Sequence, residues 1–208
     1  MRKKALLISG IFAPLVYIVA VVLGGILRPG YSHIAQYVSE LIESGAPNKA
    51  ILDPLFATYN ILTIAFGIGL FLYVRSVSEN RRKRVGLAGA LILVAEGIFG
   101  FVTVFFPQDP IGSAATSTGT LHIILASLSS LTTMLTMLLL GLWFCIIPAL
   151  CRDGIYSFIS LAIVFLSGGL AASTIANPGP VNGLIERVTI FGFLQWLFVI
   201  GMRAYRLK

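Results

Sequence analysis

The sequence predicts an all-α integral membrane bundle of six transmembrane helices, with a short amphipathic helix in the first outer loop. Composition is the first observation: the 208-residue chain is 57% hydrophobic and only 11% charged, whereas soluble domains carry roughly 25% charged residues. The second is six apolar runs, each close to the roughly 20 residues that span a bilayer. The third is that Lys and Arg lie between these runs. A soluble globular domain and a disordered chain are therefore excluded.

The apolar runs are the predicted spans. They are Ala5–Leu27, Ile51–Val74, Val85–Phe106, Leu121–Ile147, Ile155–Ala176 and Leu184–Met202. The first run follows three basic residues, as the apolar part of a signal peptide does, but it exceeds the roughly 7–15 residues of such a segment. We therefore expect it to be retained as a helix. Every connection is short, so residues 1–208 are expected to form a single domain.

The distribution of positive charge predicts the orientation. Of the 15 Lys and Arg residues, three lie on one side of the spans, namely Arg28, Lys49 and Arg187, and twelve lie on the other. Because positively charged loops stay in the cytoplasm, both termini are predicted to be cytoplasmic and the protein to lie in the cell membrane. Topology also explains the net charge of +7. A nucleic-acid partner is not expected, since it would need a basic, water-facing surface with stacking aromatic residues.

The longest outer segment, Arg28–Ala50, carries two helical periodicities. Its apolar face would comprise Tyr31, Ile34, Val38 and Leu41, and its polar face His33, Gln36, Glu40 and Glu43. Ser32 is a candidate N-cap and Gly45 a candidate stop. The pattern predicts an amphipathic helix in the outer interface with its apolar face towards the bilayer.

Glu96 is the most informative residue within the spans. It lies ten residues before the outer end of the third run, which is about 15 Å at a helical rise of roughly 1.5 Å per residue. An ionised carboxylate is costly at that depth, so we expect Glu96 to be neutral or hydrogen-bonded and to face the bundle interior. Its candidate partners are the polar residues on other spans at similar depths, namely Asn60, Ser129, Thr133, Thr136 and Gln195. The alternative is that these groups only hold helices together.

A second polar group is predicted at the outer rim. It comprises Asp109, His122, Glu186 and Arg187 at the ends of spans, and His33, Ser39 and Glu40 in the outer segment. Asp109, His122 and Glu96 are candidates for acid–base catalysis. His33, Ser39, Glu40, Glu186 and Arg187 are candidates for substrate binding. We expect Asp109, His122 and Arg187 to converge on one outward-opening pocket, roofed by His33 or Glu40. The alternative is that these residues anchor loops through salt bridges and caps.

Neither a metal site nor a cofactor is predicted. The two histidines lack the close ligand spacing that zinc sites show. Cys145 and Cys151 form no metal or redox motif and fall on the predicted cytoplasmic side, where thiols stay reduced. We therefore interpret both cysteines as chemically inert.

Several motifs along the chain resemble one known family. They are Pro29-Gly30-Tyr31-Ser32, Tyr37-Val38-Ser39-Glu40-Leu41, Gly45-Ala46-Pro47-Asn48, Phe106-Pro107-Gln108-Asp109, Gly119 before His122, and Gly183-Leu184-Ile185-Glu186-Arg187 followed by Trp196. Their order resembles that in a multi-pass bacterial and archaeal family catalogued as domain of unknown function 998, over nearly the whole chain. The resemblance implies an integral helical membrane protein and carries no established activity.

Three functions stay open from the sequence. The first is a lipid-related binding or enzymatic site at the extracytoplasmic face, with membrane lipids or a small amphipathic substrate as partners. The second is a small proton-coupled transporter that uses Glu96. The third is a structural or partner-binding membrane protein without catalysis. The concentration of polar residues at the outer rim favours the first.

Overall fold

The computed structural model describes residues 2–77, 83–173 and 179–206, and these are helical apart from their connections. The helices are α1 (Arg2–Leu27), α2 (Lys49–Val77), α3 (Lys83–Thr103), α4 (Ser117–Ile146), α5 (Cys151–Ser173) and α6 (Asn182–Arg206). Each of these six is long and apolar enough to cross a membrane. The predicted fold class is therefore confirmed for the described part of the chain.

Local sequence explains where α4 begins and ends. Thr116 precedes it with an extended backbone, and its side-chain oxygen accepts a hydrogen bond of 3.0 Å from the Gly119 amide. This is an N-cap, which satisfies an amide that has no partner within the helix. Pro148 follows the last turn and starts a 3-10 helix, Pro148–Leu150. Because proline cannot donate a backbone hydrogen bond, it separates α4 from α5.

The helices form a closed ring in chain order. Each helix packs against the next one along the chain, and α6 returns to pack against α1. Close approaches occur at glycines, as is common between membrane helices: Gly201 lies against the backbone of Gly10, and Gly69 against that of Leu6. We call the end with the first residues of α1 and the last residues of α6 the terminal end. The opposite end, which carries residues 28–48 and 104–116, is the loop end.

Apolar side chains fill the terminal half of the ring interior. Fully buried examples are Phe66, Leu93, Met137, Trp143 and Trp196. These residues come from α2, α3, α4 and α6, so they tie non-neighbouring helices to one core. Dense packing of this kind makes an interior rigid and leaves few voids as large as a water molecule.

The segment 28–48 is folded against the loop end but is mostly not helical. Its helical part is a single 3-10 turn, Ser39–Ile42. Gly45 adopts a φ of +80° and ends the turn region, as the sequence predicts. A short helix is thus present, but it is much shorter than the Tyr31–Glu43 periodicity predicts.

Hydrogen bonds from side chains explain this shorter helix. The Ser32 amide donates to Gln36 Oε1, and the Tyr37 amide donates to Glu40 Oε1. The Val38 amide donates to Glu186 Oε2 on α6 at 2.6 Å. Side-chain acceptors of this kind compete with the helical backbone ladder.

Most apolar residues of the segment face protein, which corrects the expected contact with the bilayer, and Ile34 is the one that stays exposed, at 56%. Val38, Leu41 and Ile42 are buried in a second core. This core also contains residues of α1 and α2 and of the α3–α4 connection, namely Ala20, Val21, Leu52, Phe56 and Val104. Because these side chains are buried against three different elements, their spacing in the sequence is the same as that of an amphipathic surface helix. The segment therefore covers the loop ends of α1, α2 and α6.

Candidate functional site

Arg187 occupies a buried position at the loop end of α6, where only 6% of its surface is exposed. Its Nη1 donates to the carbonyls of Gln36 at 2.8 Å and Gly183 at 2.9 Å. Its Nη2 donates to Tyr31 Oη at 2.7 Å and lies 3.2 Å from His33 Nδ1. Arg187 Nε is buried and has no hydrogen-bond partner among the described residues.

The hydrogen-bond partners of the Arg187 guanidinium are neutral groups, and the carboxyl of Glu186 interacts with it electrostatically without a hydrogen bond. Within the described chain, the carboxylates in ion pairs belong to other cations: Arg28–Glu43, Lys49–Asp53 and Arg203–Asp153. Glu186 precedes Arg187 in sequence, but its Oε2 accepts from the Val38 amide. A buried charge without a hydrogen-bonded counterion is costly. Because Nε keeps one N–H without a partner among the described residues, Arg187 can still donate a hydrogen bond to an anionic group.

Tyr31 and His33 complete the Arg187 site. The Arg187 Cζ atom lies 5.7 Å from the centroid of the Tyr31 ring, which meets the His33 ring edge-on. Since arginine can only donate, His33 Nδ1 accepts and the imidazole is neutral. Burial, followed by the positive charge of Arg187, lowers the pKa of His33. Burial raises the pKa of Tyr31 to about 12, although Arg187 opposes the shift. Neither ring therefore supplies a charge near neutral pH.

An apolar groove of about 460 Å³ runs along α5 and α6 beside Arg187. Its lining comprises Ile159, Ile163, Leu184, Val188, Phe191 and Gly192, with Tyr156, Ser160 and Gln195 at the far end. The apolar side chains are exposed on the outside of the ring, for example Leu184 by 48% and Ile159 by 57%. Arg187 and Gln195 are eight residues apart, which is about 12 Å along a helix. One leaflet of a bilayer has a hydrocarbon depth of roughly 15 Å.

Two other predicted binding residues hold the segment 28–48 in place. Glu40 accepts hydrogen bonds from the Tyr37 amide and from Gln36 Nε2, both at 2.8 Å. Glu186 Oε2 accepts a hydrogen bond from the Val38 amide. Ser39 is half-buried at the start of the 3-10 turn. Glu40 and His33 thus belong to the segment 28–48, which covers Arg187, and Glu186 is hydrogen-bonded to this segment.

Asp109 lies on the connection between α3 and α4, and His122 lies in the second turn of α4. The Asp109 carboxylate accepts from the Thr116 amide at 2.8 Å and from Thr116 Oγ1 at 2.7 Å, and these bonds lower its pKa. His122 Nδ1 lies 2.7 Å from the Phe106 carbonyl. Both residues therefore anchor their own connection. No described contact joins either one to Arg187, and their catalytic role stays a prediction.

Glu96 is buried inside the ring, with 5% of its surface exposed, as the sequence predicts. The expected partner is missing: Glu96 Oε2 has no hydrogen bond within the described chain. The same holds for Asn60 Oδ1, Ser129 Oγ and Thr136 Oγ1. Gln195, another predicted partner, instead donates to Ser160 Oγ at 2.8 Å on the outer groove.

The sequence analysis missed Gln36 and Gly183 as parts of the Arg187 site and assigned Tyr31 to an apolar face. Gly183 must lack a side chain, because the Gln36 carbonyl occupies the place of its Cβ. Its own carbonyl lies one turn before Arg187 and accepts from Nη1. The signal that could have found it is the four-residue spacing of Gly183 and Arg187.

The two cysteines lie at the α4–α5 turn. Cys145 and Cys151 are free thiols with their Sγ atoms 3.9 Å apart. Within residues 2–77, 83–173 and 179–206, no group of three or more His, Cys, Asp or Glu residues could hold a metal ion.

Comparisons with known proteins bear on the family. No curated protein matches the chain, and no solved structure matches it. A family model described as "Protein of unknown function (DUF998)" matches residues 11–203. This range includes the Arg187 site, the groove and Glu96. Since the match covers most of the sequence, the chain belongs to the DUF998 family of proteins of unknown function.

Proposed function

We propose that this protein binds an anionic phospholipid at the loop end. Its phosphate would pair with Arg187, and one acyl chain would lie in the α5–α6 groove. The observation that carries the proposal is a buried guanidinium at one end of an exposed apolar groove. All hydrogen-bond partners of this guanidinium are neutral. The positive charge and the apolar groove thus lie side by side, which matches the adjacent negative headgroup and apolar chain of an anionic amphiphile.

The hydrogen bonds of Arg187 support a prepared anion site. Arginine has five N–H donors, and the Nη atoms make four contacts, to Gln36, Gly183, Tyr31 and His33. These contacts hold the guanidinium plane in place. Nε keeps its N–H unpaired. A charge-assisted hydrogen bond to an anion contributes about 1.5–3 kcal/mol, and a fixed guanidinium loses little further side-chain entropy on binding.

The groove supports an acyl chain as the apolar part of the ligand. Its length along α6 is similar to the depth of one leaflet, and its walls are branched and aromatic side chains. If the loop end faces outward, as the charge distribution predicts, the bound lipid belongs to the outer leaflet. Catalysis is not part of the proposal, because Asp109 and His122 hydrogen-bond within the α3–α4 connection.

Lipid-dependent thermal stability tests the proposal. Protein delipidated in an uncharged detergent is melted with phosphatidylglycerol, phosphatidylcholine or inorganic phosphate. We expect phosphatidylglycerol to raise the melting temperature and the other two to have little effect. The Arg187→Gln variant should lose this rise. Lys49→Gln, which removes one positive charge from the same end, should keep it.

A second pair of variants tests the groove. Val188→Trp fills the groove, and Val22→Trp places the same side chain on the exposed face of α1, where Val22 is 49% exposed. Only Val188→Trp should reduce the rise caused by phosphatidylglycerol. If Arg187→Gln lowers the melting temperature equally with and without lipid, Arg187 is a structural clamp and the proposal is wrong.

A further inference from the structure

A layer of polar residues lies inside the loop half of the ring. Four of its side-chain oxygens are buried without a hydrogen-bond partner within the described chain, namely Asn60 Oδ1, Glu96 Oε2, Ser129 Oγ and Thr136 Oγ1. Asn60 and Glu96 are each 5% exposed, and Thr136 is fully buried. Buried polar atoms are nearly always paired, with protein or with ordered water. The helices α2, α3 and α4 thus each contribute at least one buried oxygen that has no partner within the described chain.

Packing contacts place these atoms at neighbouring levels. A side chain at Gly89 of α3 would meet Leu140 of α4. Glu96 lies seven residues after Gly89, and Thr133 lies seven residues before Leu140. Since α3 and α4 are antiparallel, Glu96 and Thr133 lie at the same level, about two helical turns from that contact. Ser129 lies one turn closer to the loop end, and Thr136 lies about one turn closer to the terminal end.

The α2 helix contributes at the same levels. The amide of Asn60 packs against Gly100, which is one turn from Glu96 on α3. Asn60 Nδ2 donates to the Phe56 carbonyl at 2.8 Å, which leaves Oδ1 as the unpaired atom. The unpaired oxygens of α2, α3 and α4 therefore form a column about two helical turns long, or roughly 10 Å.

The polar layer gives way to apolar residues towards the terminal end, beginning with Leu93, which lies level with Thr136. Towards the terminal end, the next buried residues are Phe66 on α2, Leu93 on α3 and Met137 on α4, each with 0% exposure. Trp143, which packs against Gly86 near the start of α3, lies closer to the terminal end. Charged or hydrated groups cannot cross such a packed apolar layer cheaply. The column is thus sealed on the terminal side.

Polar residues continue towards the loop end instead. The rings of Tyr17 on α1 and Tyr59 on α2 meet edge-on, with centroids 4.9 Å apart. Tyr17 interacts electrostatically with both Glu96 and Glu186. Glu186 lies at the mouth of the ring, beneath the segment 28–48. Side chains capable of hydrogen bonding thus lie between Glu96 and the loop end.

We infer that the ring encloses a hydrated proton-binding site at Glu96, open to the loop end and closed to the terminal end. Water supplies the missing partners of Asn60, Ser129 and Thr136. A proton from this water binds a carboxylate oxygen of Glu96 and leaves a neutral carboxyl. The inference is independent of the lipid site, which lies on the outside of the ring.

The groups that face Glu96 fit a site for one proton. The titratable groups that interact with it are Tyr17 of α1 and Tyr59 of α2. The α4 helix presents hydroxyls, and α6 presents apolar residues at this level. A cation that would keep Glu96 ionised is not among these groups. Glu96 is therefore the residue of this layer that is suited to exchange a proton.

Carbodiimide labelling tests the proton site in the wild-type protein. Dicyclohexylcarbodiimide partitions into membranes and reacts with protonated carboxyls, and mass spectrometry locates the adduct. We expect an adduct at Glu96 whose yield falls as the pH rises. Glu96→Gln should lack it, and Glu186→Gln should keep it. Since the adduct is mapped in the wild type, the result does not depend on how a variant folds.

Cysteine accessibility tests which end is open. Ser129→Cys and Met137→Cys are made separately in a Cys145→Ser, Cys151→Ser background and treated with an anionic thiosulfonate in proteoliposomes. Position 129 should react from the loop side only. Position 137 should react about tenfold more slowly or not at all, since the charged reagent would have to enter the apolar layer. Absence of a Glu96 adduct, or equal rates at the two positions, would overturn the inference.

Discussion

Tyr31 links the guanidinium of Arg187 to the backbone of the loop segment. Its hydroxyl accepts from Arg187 Nη2 at 2.7 Å and donates to the Tyr37 carbonyl, also at 2.7 Å. One phenol thus positions both the charge on α6 and the chain that covers it. Because Tyr31 is neutral, it orients the guanidinium without cancelling its charge, which keeps the charge available for an anion.

Replacing this hydroxyl tests the link. Tyr31→Phe leaves an Arg187 N–H and the Tyr37 carbonyl unpaired, and we expect a loss of about 1–3 kcal/mol in the free energy of unfolding. Thermal melting in detergent measures it. Tyr205→Phe is the matched control, since the Tyr205 ring contacts Lys4 near the terminal end and keeps that contact. Similar losses in both variants would contradict the assignment.

The docking of segment 28–48 is expected to weaken in acid. The pKa of His33 is lowered from 6.5, so the folded protein favours the neutral imidazole while the unfolded chain protonates first. The stabilising contribution is complete above pH 6.5 and is lost as the pH falls through the lowered pKa. The protection factors of residues 28–48 against hydrogen exchange, corrected for the pH dependence of the intrinsic rate, should therefore fall as the pH is lowered below 6.5. His33→Gln should abolish this pH dependence, whereas His122→Gln should retain it.

Asp109 is expected to protect the start of α4 in its ionised form. Hydrogen bonds from Thr116 lower its pKa from 3.8, so its contribution is present above that value and is lost as the pH falls through the lowered pKa. Asp109→Asn should mimic acid at neutral pH and accelerate hydrogen exchange over residues 110–120. Asp53→Asn, which changes a carboxylate paired with Lys49, should leave this region unchanged.

A methyl group at position 183 should displace the segment 28–48. In Gly183→Ala, the new Cβ meets the Gln36 carbonyl, which is backbone and cannot move aside cheaply. Overpacking of this kind costs about 1–3 kcal/mol. We expect faster exchange in residues 28–48 and a lower melting temperature. Gly179→Ala is the control, because its nearest contact is Asn182 Oδ1 at 3.4 Å; if it behaves like Gly183→Ala, the close contact is not the cause.

Cysteine labelling in whole cells tests the orientation. In a cysteine-free background, an impermeant maleimide should label Ser113→Cys directly and Glu79→Cys only after permeabilisation. Ser113 lies in the exposed α3–α4 connection at the loop end, and Glu79 lies outside the described residues. The reverse pattern would contradict the positive-charge rule and move the proposed lipid to the inner leaflet.

The spans could be predicted because span length and hydropathy are local properties of the sequence. Helix ends extend beyond the apolar runs, as in α6, which continues to Arg206 rather than Met202. Charged residues can prolong a helix past the hydrocarbon region. The depth of Glu96 in its run likewise predicted its burial, which the structure confirms.

The Arg187 site could not be predicted in the same way. Its partners Gln36 and Tyr31 lie 151 and 156 positions away in the chain. Helical spacing in residues 31–43 arises here from tertiary burial of Val38 and Leu41, and spacing alone does not distinguish that from a surface helix. The positions of Asp109 and His122 at span ends indicated a shared membrane level, but not which neighbours each would contact.

A ring closed in chain order also sets a sequence of events during synthesis. Each hairpin of helices can assemble as soon as its second helix enters the membrane, because its partner has just preceded it. The exception is the α1–α6 contact, where Gly10 meets Gly201. Until the last helix is inserted, that face of α1 stays uncovered and the segment 28–48 lacks Arg187. The final span therefore completes both the enclosure and the anion site in one step, so a nascent chain without it could not bind lipid as proposed.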